Sequence, residues 1–259
     1  MDERHVSLRR EGAVAFVTLS NAGRLNAMTR GMWRELRTAF EGIGQAADAG
    51  LRCLVVRGQG RAFCAGGDIS EYPSFRFEEA SLREFHENEV WGALQAMLDC
   101  PLPLVAQIEG ACMGAGIEIA SCCDIRLAGA SAKFGAPIAK LGFPMAPREA
   151  ALVRGAIGDV LARDMLLAAS VHGAQRLYDA GFLLQVLPDN EVAAAVQAHA
   201  QRIAALAPQA ARLHKQTFAM LKAGAHATQA LLATAYDYAD SAEHREGIDA
   251  FLAKRTPNF

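Results

Sequence analysis

The stretch Ile108–Asp124, IEGACMGAGIEIASCCD, decides how this chain is read. It follows Leu104-Val105-Ala106-Gln107-Ile108, a short apolar run that ends in a turn signal and so predicts a buried strand. Gly110, Gly114 and Gly116 permit a tight backbone path, and the residues from about Ala115 to Cys123 read as a helix. The first turn of a helix leaves backbone N–H groups unpaired, with the positive end of the dipole facing out. That end suits an oxygen carrying negative charge. Glu118 sits one turn in, and helical side chains lean back towards the N-terminus. Its carboxylate can therefore reach the space in front of the Ala115 amide. One segment offers an oxyanion donor and an acid/base group.

Working outward, Arg61–Ile69, RAFCAGGDI, follows the apolar strand Cys53–Arg57 and repeats the pattern of a strand leading into a glycine-bearing bend. Gly66 and Gly67 would let a backbone N–H approach a ligand closely. A merely structural turn explains either stretch alone. The two together, in this order, are far more specific.

The residues Leu25-Asn26-Ala27-Met28, Ala62–Ile69, Gly110–Glu118 with Cys123-Asp124, Phe134-Gly135, Leu141-Gly142 and the ending EGIDAFLAKR at 246–255 together resemble the enoyl-CoA hydratase/isomerase (crotonase) family over nearly the whole chain. The resemblance implies an α/β fold: a crotonase-like spiral of ββα units over residues 1–190, carrying the acyl-CoA site, then a C-terminal helical trimerisation region over 191–259. It implies an acyl-CoA thioester substrate, with the amides of Gly67 and Ala115 holding the thioester oxygen and Glu118 moving the proton. Arg24, Leu25, Cys64, Ala65, Asp68 and Ile69 would border the nucleotide of coenzyme A, the 64–69 loop through backbone groups. Phe251 and Lys254 match positions that cover coenzyme A, often from a neighbouring subunit; a solvated helix end equally explains Lys254-Arg255. A homotrimer or a dimer of trimers is expected. No cofactor is expected beyond the coenzyme A of the substrate, and no metal.

One departure from the family pattern matters most. The best-known hydratases use two glutamates, and the second position, directly after Pro137, is Ile138 here. Ile138 would line the acyl site but cannot carry a proton. Hydration would then rest mainly on Glu118. Glu149, in the first turn of an expected helix, is a conceivable partner, although an acidic residue there is also ordinary dipole compensation. The apolar neighbours Met113, Ile117 and Ile138 would raise the Glu118 pKa and the helix start would lower it. The run Phe143–Arg148 replaces a usually glycine-rich segment and suggests a reshaped acyl pocket. Three readings follow: a 2-enoyl-CoA hydratase, an isomerase or other enolate-forming enzyme needing one base, and a non-catalytic acyl-CoA-binding protein.

Composition bounds these readings. The chain has 259 residues, 52% of them apolar, and a formal net charge of −2. That gives no footprint for nucleic acid. No 18-residue apolar span and no signal-peptide core appear, so a cytoplasmic protein without a membrane segment is expected. The six cysteines lack Cys-x-x-Cys spacing and read as reduced core thiols, with a reactive Cys64 as the lesser alternative. His86, on an expected helix from about Glu78 to Leu98, reads as a solvated or satisfied histidine. Asp124 reads as structural.

Overall fold

The computed structural model describes residues 4–46 and 50–259. In chain order its strands are β1 (Arg4–Glu11), β2 (Val14–Asn21), β3 (Cys53–Gly58), β4 (Leu104–Ile108), β5 (Ala111–Met113), β6 (Ile125–Gly129), β7 (Lys133–Gly135), β8 (Val171–Gly173) and β9 (Gln185–Leu187). They form a six-stranded sheet, β1-β2-β3-β4-β6-β9, and a three-stranded sheet, β5-β7-β8. From β2 to β9 the larger sheet is parallel, as helical crossovers require.

Strand alternation sets the two cores. Ala15, Val17 and Leu19 of β2, with Leu54 and Val56 of β3, face the main cluster, which holds Trp33 and Leu36 from the helix Arg30–Ala46 and Leu94 and Met97 from the helix Trp91–Leu98. The intervening residues Val14, Phe16, Cys53 and Val55 face the other way and pack on Val192, Val196 and Ala200 of the helix Val192–Ala204. Both faces are covered, which is why these strands read as unbroken apolar runs. Helices then follow one another at Pro208–Ala223, Ala225–Leu232 and Ala242–Leu252. Among the described residues no helix is long and apolar enough to cross a membrane.

Three elements differ from sequence expectation. The charged segment Arg4–Glu11 is an edge strand, antiparallel to β2 and mostly exposed; its charges blunt an edge that would otherwise pair with other chains. Ala111–Met113 pairs with β7 as a strand instead of belonging to a turn. The expected single helix Glu78–Leu98 is divided: α-helix at Glu79–Glu84, a wider π-turn at Phe85–Val90, then α-helix again. Such single π-turns re-aim side chains and occur often near functional sites.

Backbone ties, rather than side-chain bulk, locate the loops around the site. Asn26 has a left-handed φ of 61° and is 3% exposed. Its Nδ2 donates to Gln59 O (2.9 Å) and Ala62 O (2.7 Å), and its Oδ1 accepts from Asn21 N (3.2 Å). Three segments are thereby fixed by one side chain. Asn26→Ala leaves two carbonyls and an amide short of partners and should lower unfolding free energy by about 2–4 kcal/mol, read as a lower denaturant midpoint at unchanged m-value.

Candidate active site

The two glycine-bearing bends lie side by side because their strands exchange backbone hydrogen bonds. Phe63 N donates to Glu109 O (2.7 Å), Cys64 N to Ala111 O (2.9 Å), and Met113 N to Cys64 O (2.8 Å). The approach leaves no room at Gly116, where an added Cβ would stand 2.6 Å from Cys64 O. On the first bend, Met28 N donates to Gly66 O and Asp68 N to Met28 O, both at 2.8 Å. That ladder steps over Gly67, whose amide has no partner among the described residues. On the second, Ala115 is the first residue of the helix Ala115–Cys122, so its amide belongs to the unpaired first turn. Gly67 and Ala115 both line one cavity of about 340 Å³.

Glu118 lines the same cavity and is 7% exposed. Its carboxyl pKa is raised well above the ordinary 4.5, first by burial and then by the charge of Glu149. Burial among the apolar walls is thus the larger cause of the rise. Met113 and Ile138 are among those walls; Ile117 is buried behind them.

Glu149 also lines the cavity, from the first turn of the helix Pro147–Ile157, and is 3% exposed. Its Oε1 lies 2.8 Å from His86 Nδ1. His86 comes from the π-turn and is itself in the cavity. It is a satisfied histidine, as one sequence reading had it, but its partner is a carboxylate inside the candidate site. Its other ring nitrogen, Nε2, stands 3.4 Å from Arg76 Nη1. Phe143, Pro144 and Met145 complete the wall that the unusual 143–148 run builds.

The expected coenzyme A positions separate into groups. Ala65 and Ile69 line the cavity, and Ile69 is half exposed. Leu25 is exposed with φ 49°, and its carbonyl accepts from Ala65 N (3.0 Å), which sets the Arg24-Leu25 loop against the 64–69 loop. The amides of Cys64, Ala65 and Asp68 are all spent on internal acceptors. A base seated on this loop would therefore meet carbonyl oxygens and the Ile69 side chain, not those three N–H groups. The Asp68 side chain is internal too. Burial works to raise its pKa, but bonds from Ser70 N, Ser70 Oγ and Asn21 Nδ2 outweigh that and hold it below the ordinary range. Phe251 and Lys254 are exposed at the end of the helix Ala242–Leu252 and do not line the cavity.

Cys64 is fully buried, and burial pushes its thiol up to about 12. It stays protonated, which removes the reactive-thiol alternative. All six cysteines are buried and free. Asp124 accepts from Leu104 N (2.7 Å) and Lys215 Nζ (2.9 Å), a structural tie. No cluster among the described residues is suited to a metal ion.

Tyr72 and Arg76, like Trp33 and Lys140, line the cavity and escaped sequence reasoning. Tyr72 sits on the short 3₁₀ helix Ile69–Ser74, and its hydroxyl lies over Gly67, where an added Cβ would stand 2.2 Å from it. The Arg76 guanidinium lies 4.6 Å from the Tyr72 ring centre and 3.8 Å from that of Phe143. The segment 70–77 carries no periodic pattern, so only the i, i+4 spacing of Tyr72 and Arg76 hinted at a shared face.

Comparison with known proteins agrees with this geometry. A family model described as enoyl-CoA hydratase/isomerase matches residues 9–259. The 2,3-dehydroadipyl-CoA hydratase of Escherichia coli is 32% identical over 256 residues, covering 96% of each chain. The probable enoyl-CoA hydratase echA8 of Mycobacterium tuberculosis is 29% identical over 259 residues, covering 98% of this chain and 97% of that one. Among solved structures, an enoyl-CoA hydratase/carnithine racemase from Magnetospirillum magneticum superposes with a TM-score of 0.92 at 38% identity, over 98% of this chain and 94% of that one. A spiral α/β core bearing two unpaired amides and a buried glutamate, matched along almost its full length, places this chain in the enoyl-CoA hydratase/isomerase family of enzymes.

Proposed function

We propose that the protein is a 2-enoyl-CoA hydratase in which Gly67 N–H and Ala115 N–H hold the thioester oxygen and Glu118 works with Glu149. The observation that carries this reading is the pairing of two buried carboxyl groups on one cavity that also receives both free amides. Water oxygen bonds to C3, the C2–C3 π pair moves towards the thioester, and an enolate forms on its oxygen. Each pre-aimed amide is worth about 3–4 kcal/mol to that charge. Glu118, whose protonated form burial favours, gives its proton to C2. Glu149, oriented by His86, takes the proton that water loses. Transfer between the two carboxyl groups by way of solvent restores the starting state. The pair separates acid from base by environment, as two neighbouring carboxyls with one proton do elsewhere. Glu149 thus supplies from a following helix the second carboxylate absent at Ile138.

The apolar Ile138 favours a second reading. Moving a double bond from C3 to C2 needs one group that removes a proton at C2 and returns it at C4, which Glu118 alone can do. Feeding a 3-enoyl-CoA and following conjugation by ultraviolet absorbance separates the two reactions.

Hydration of crotonyl-CoA, followed as loss of the conjugated thioester absorbance, should fall about 100- to 10,000-fold in Glu118→Gln. A change smaller than tenfold would end the proposal. Glu149→Gln should lower kcat with a smaller effect on KM, because its role is in the chemical step.

Glu118 also makes a stability prediction. Its folded pKa lies above the unfolded value, so the unfolded chain loses this proton first as pH rises. Wild-type stability therefore falls from the ordinary glutamate range upward until the folded group ionises. Glu118→Gln should be more stable than wild type at neutral pH, with the advantage fading below about pH 4.5, the ordinary value. Denaturant melts at several pH values would show it; equal stability at every pH would mean the carboxyl is not held protonated.

The same reading extends to assembly as a homotrimer or dimer of trimers. Phe218, Tyr236, Ile248, Phe251 and Leu252 are exposed on the C-terminal helical part, an apolar area that association would cover. Light scattering should give three or six chain masses; a monomer would refute this.

A further inference from the structure

Two strongly basic groups line the cavity, the half-buried Arg76 and the exposed Lys140, and the proposed chemistry uses neither; Arg76 is the one held against aromatic rings. Its guanidinium carbon lies 3.8 Å from the centre of the Phe143 ring and 4.6 Å from that of Tyr72, in the corner that these two rings form at 69° to each other. The aromatic corner holds the cation in place while its N–H donors remain available to an acceptor. Among the described residues, the side-chain hydrogen-bond partner of this fork is the ring of His86, 3.4 Å from Nη1. Among the described residues no carboxylate forms an ion pair with Arg76. That contrasts with Arg30, which forks onto Glu89 at 2.8 and 2.7 Å, and with Arg255, paired with Glu246. Burial also works against the charged form of Arg76. The charge of Glu149, on the far side of His86, offsets only part of that burial, so a ligand anion in direct contact would relieve a remaining cost.

Position narrows the ligand. Tyr72 touches Gly67 with its hydroxyl end and Arg76 with its ring face. The guanidinium is thus one phenol ring away from the amide proposed to hold the thioester oxygen. Apolar Ile138, Phe143 and Met145 wall the same cavity and suit a short methylene chain. A carboxylate is planar and two-pronged, which fits the N–H donors of a guanidinium held in that corner.

We propose that Arg76 receives a carboxylate at the far end of the acyl group, so that the substrate is the coenzyme A thioester of a short dicarboxylic acid. This rests on the reading of the cavity as an acyl-CoA site, but not on which reaction occurs there.

The test is calorimetric binding of two saturated, unreactive thioesters that differ only at the chain end, adipyl-CoA and hexanoyl-CoA. Wild type should bind adipyl-CoA at least about tenfold more tightly, the scale of one charge-assisted bidentate contact. Arg76→Met should abolish or reverse that preference, and Arg76→Lys should keep part of it; matching thermal melts would confirm that both variants fold. Equal or tighter binding of hexanoyl-CoA by wild type would overturn the proposal, as would a preference that survives Arg76→Met. If neither thioester binds, the acyl-CoA reading falls with it. Tight binding with the expected preference but no hydration of an enoyl-CoA would uphold the proposal and remove only the hydratase.

Discussion

The site depends on one backbone contact: the 63–64 segment hydrogen-bonded to the 109–113 segment. These bonds bring both bends to one cavity, where the proposed function has their two amides share an oxygen. Neither bend could supply both, because each offers one unpaired amide. The contact also dictates composition. A carbonyl lies where a side chain at 116 would begin, so glycine there is a requirement of proximity rather than of flexibility. The parallel strands beneath, buried on both faces, keep the contact from drifting. Chemistry is thereby assigned to main-chain atoms, which sequence change reaches only indirectly.

Charge is handled differently. Two carboxyl groups share a cavity whose other walls are mostly apolar, and among the described residues no hydrogen bond to the Glu118 carboxyl eases its ionisation. Glu149 by contrast is anchored by His86. This asymmetry gives two like residues unlike properties. It also explains why the loss of a carboxylate at 138 need not leave the cavity without a second one: the next helix begins close enough to present its own.

Much of this was legible in the chain. Buried strands announce themselves when both faces are covered, and β2, β3 and β4 did so. That Gly67, Ala115 and Glu118 sit on glycine bends and a helix start was legible from local pattern, and the fold brings all three to one cavity. What stayed hidden depends on distant segments meeting. Arg4–Glu11 is charged along its length and becomes a strand only because β2 offers an edge. His86 and Arg76 gain significance from partners 63 residues away and from Phe143, respectively. The π-turn leaves no mark in hydrophobic spacing, since Phe85, Val90 and Leu94 remain apolar in either winding. Of the positions expected to border coenzyme A, Ala65 and Ile69 reach the cavity; that the Cys64, Ala65 and Asp68 amides are already engaged was not legible, because their acceptors come from other segments.

The π-turn at Phe85–Val90 has a consequence for how this enzyme could diverge. Each residue of an α-helix advances the azimuth by about 100°. Shortening the segment by one residue would restore uniform winding yet swing everything upstream around the axis relative to everything downstream. His86 and Val90 could then no longer look into the same chamber. Small changes of length in this helix, far from the glycine bends, would exchange the acyl end of the chamber wholesale while the oxygen-gripping end stayed as it is.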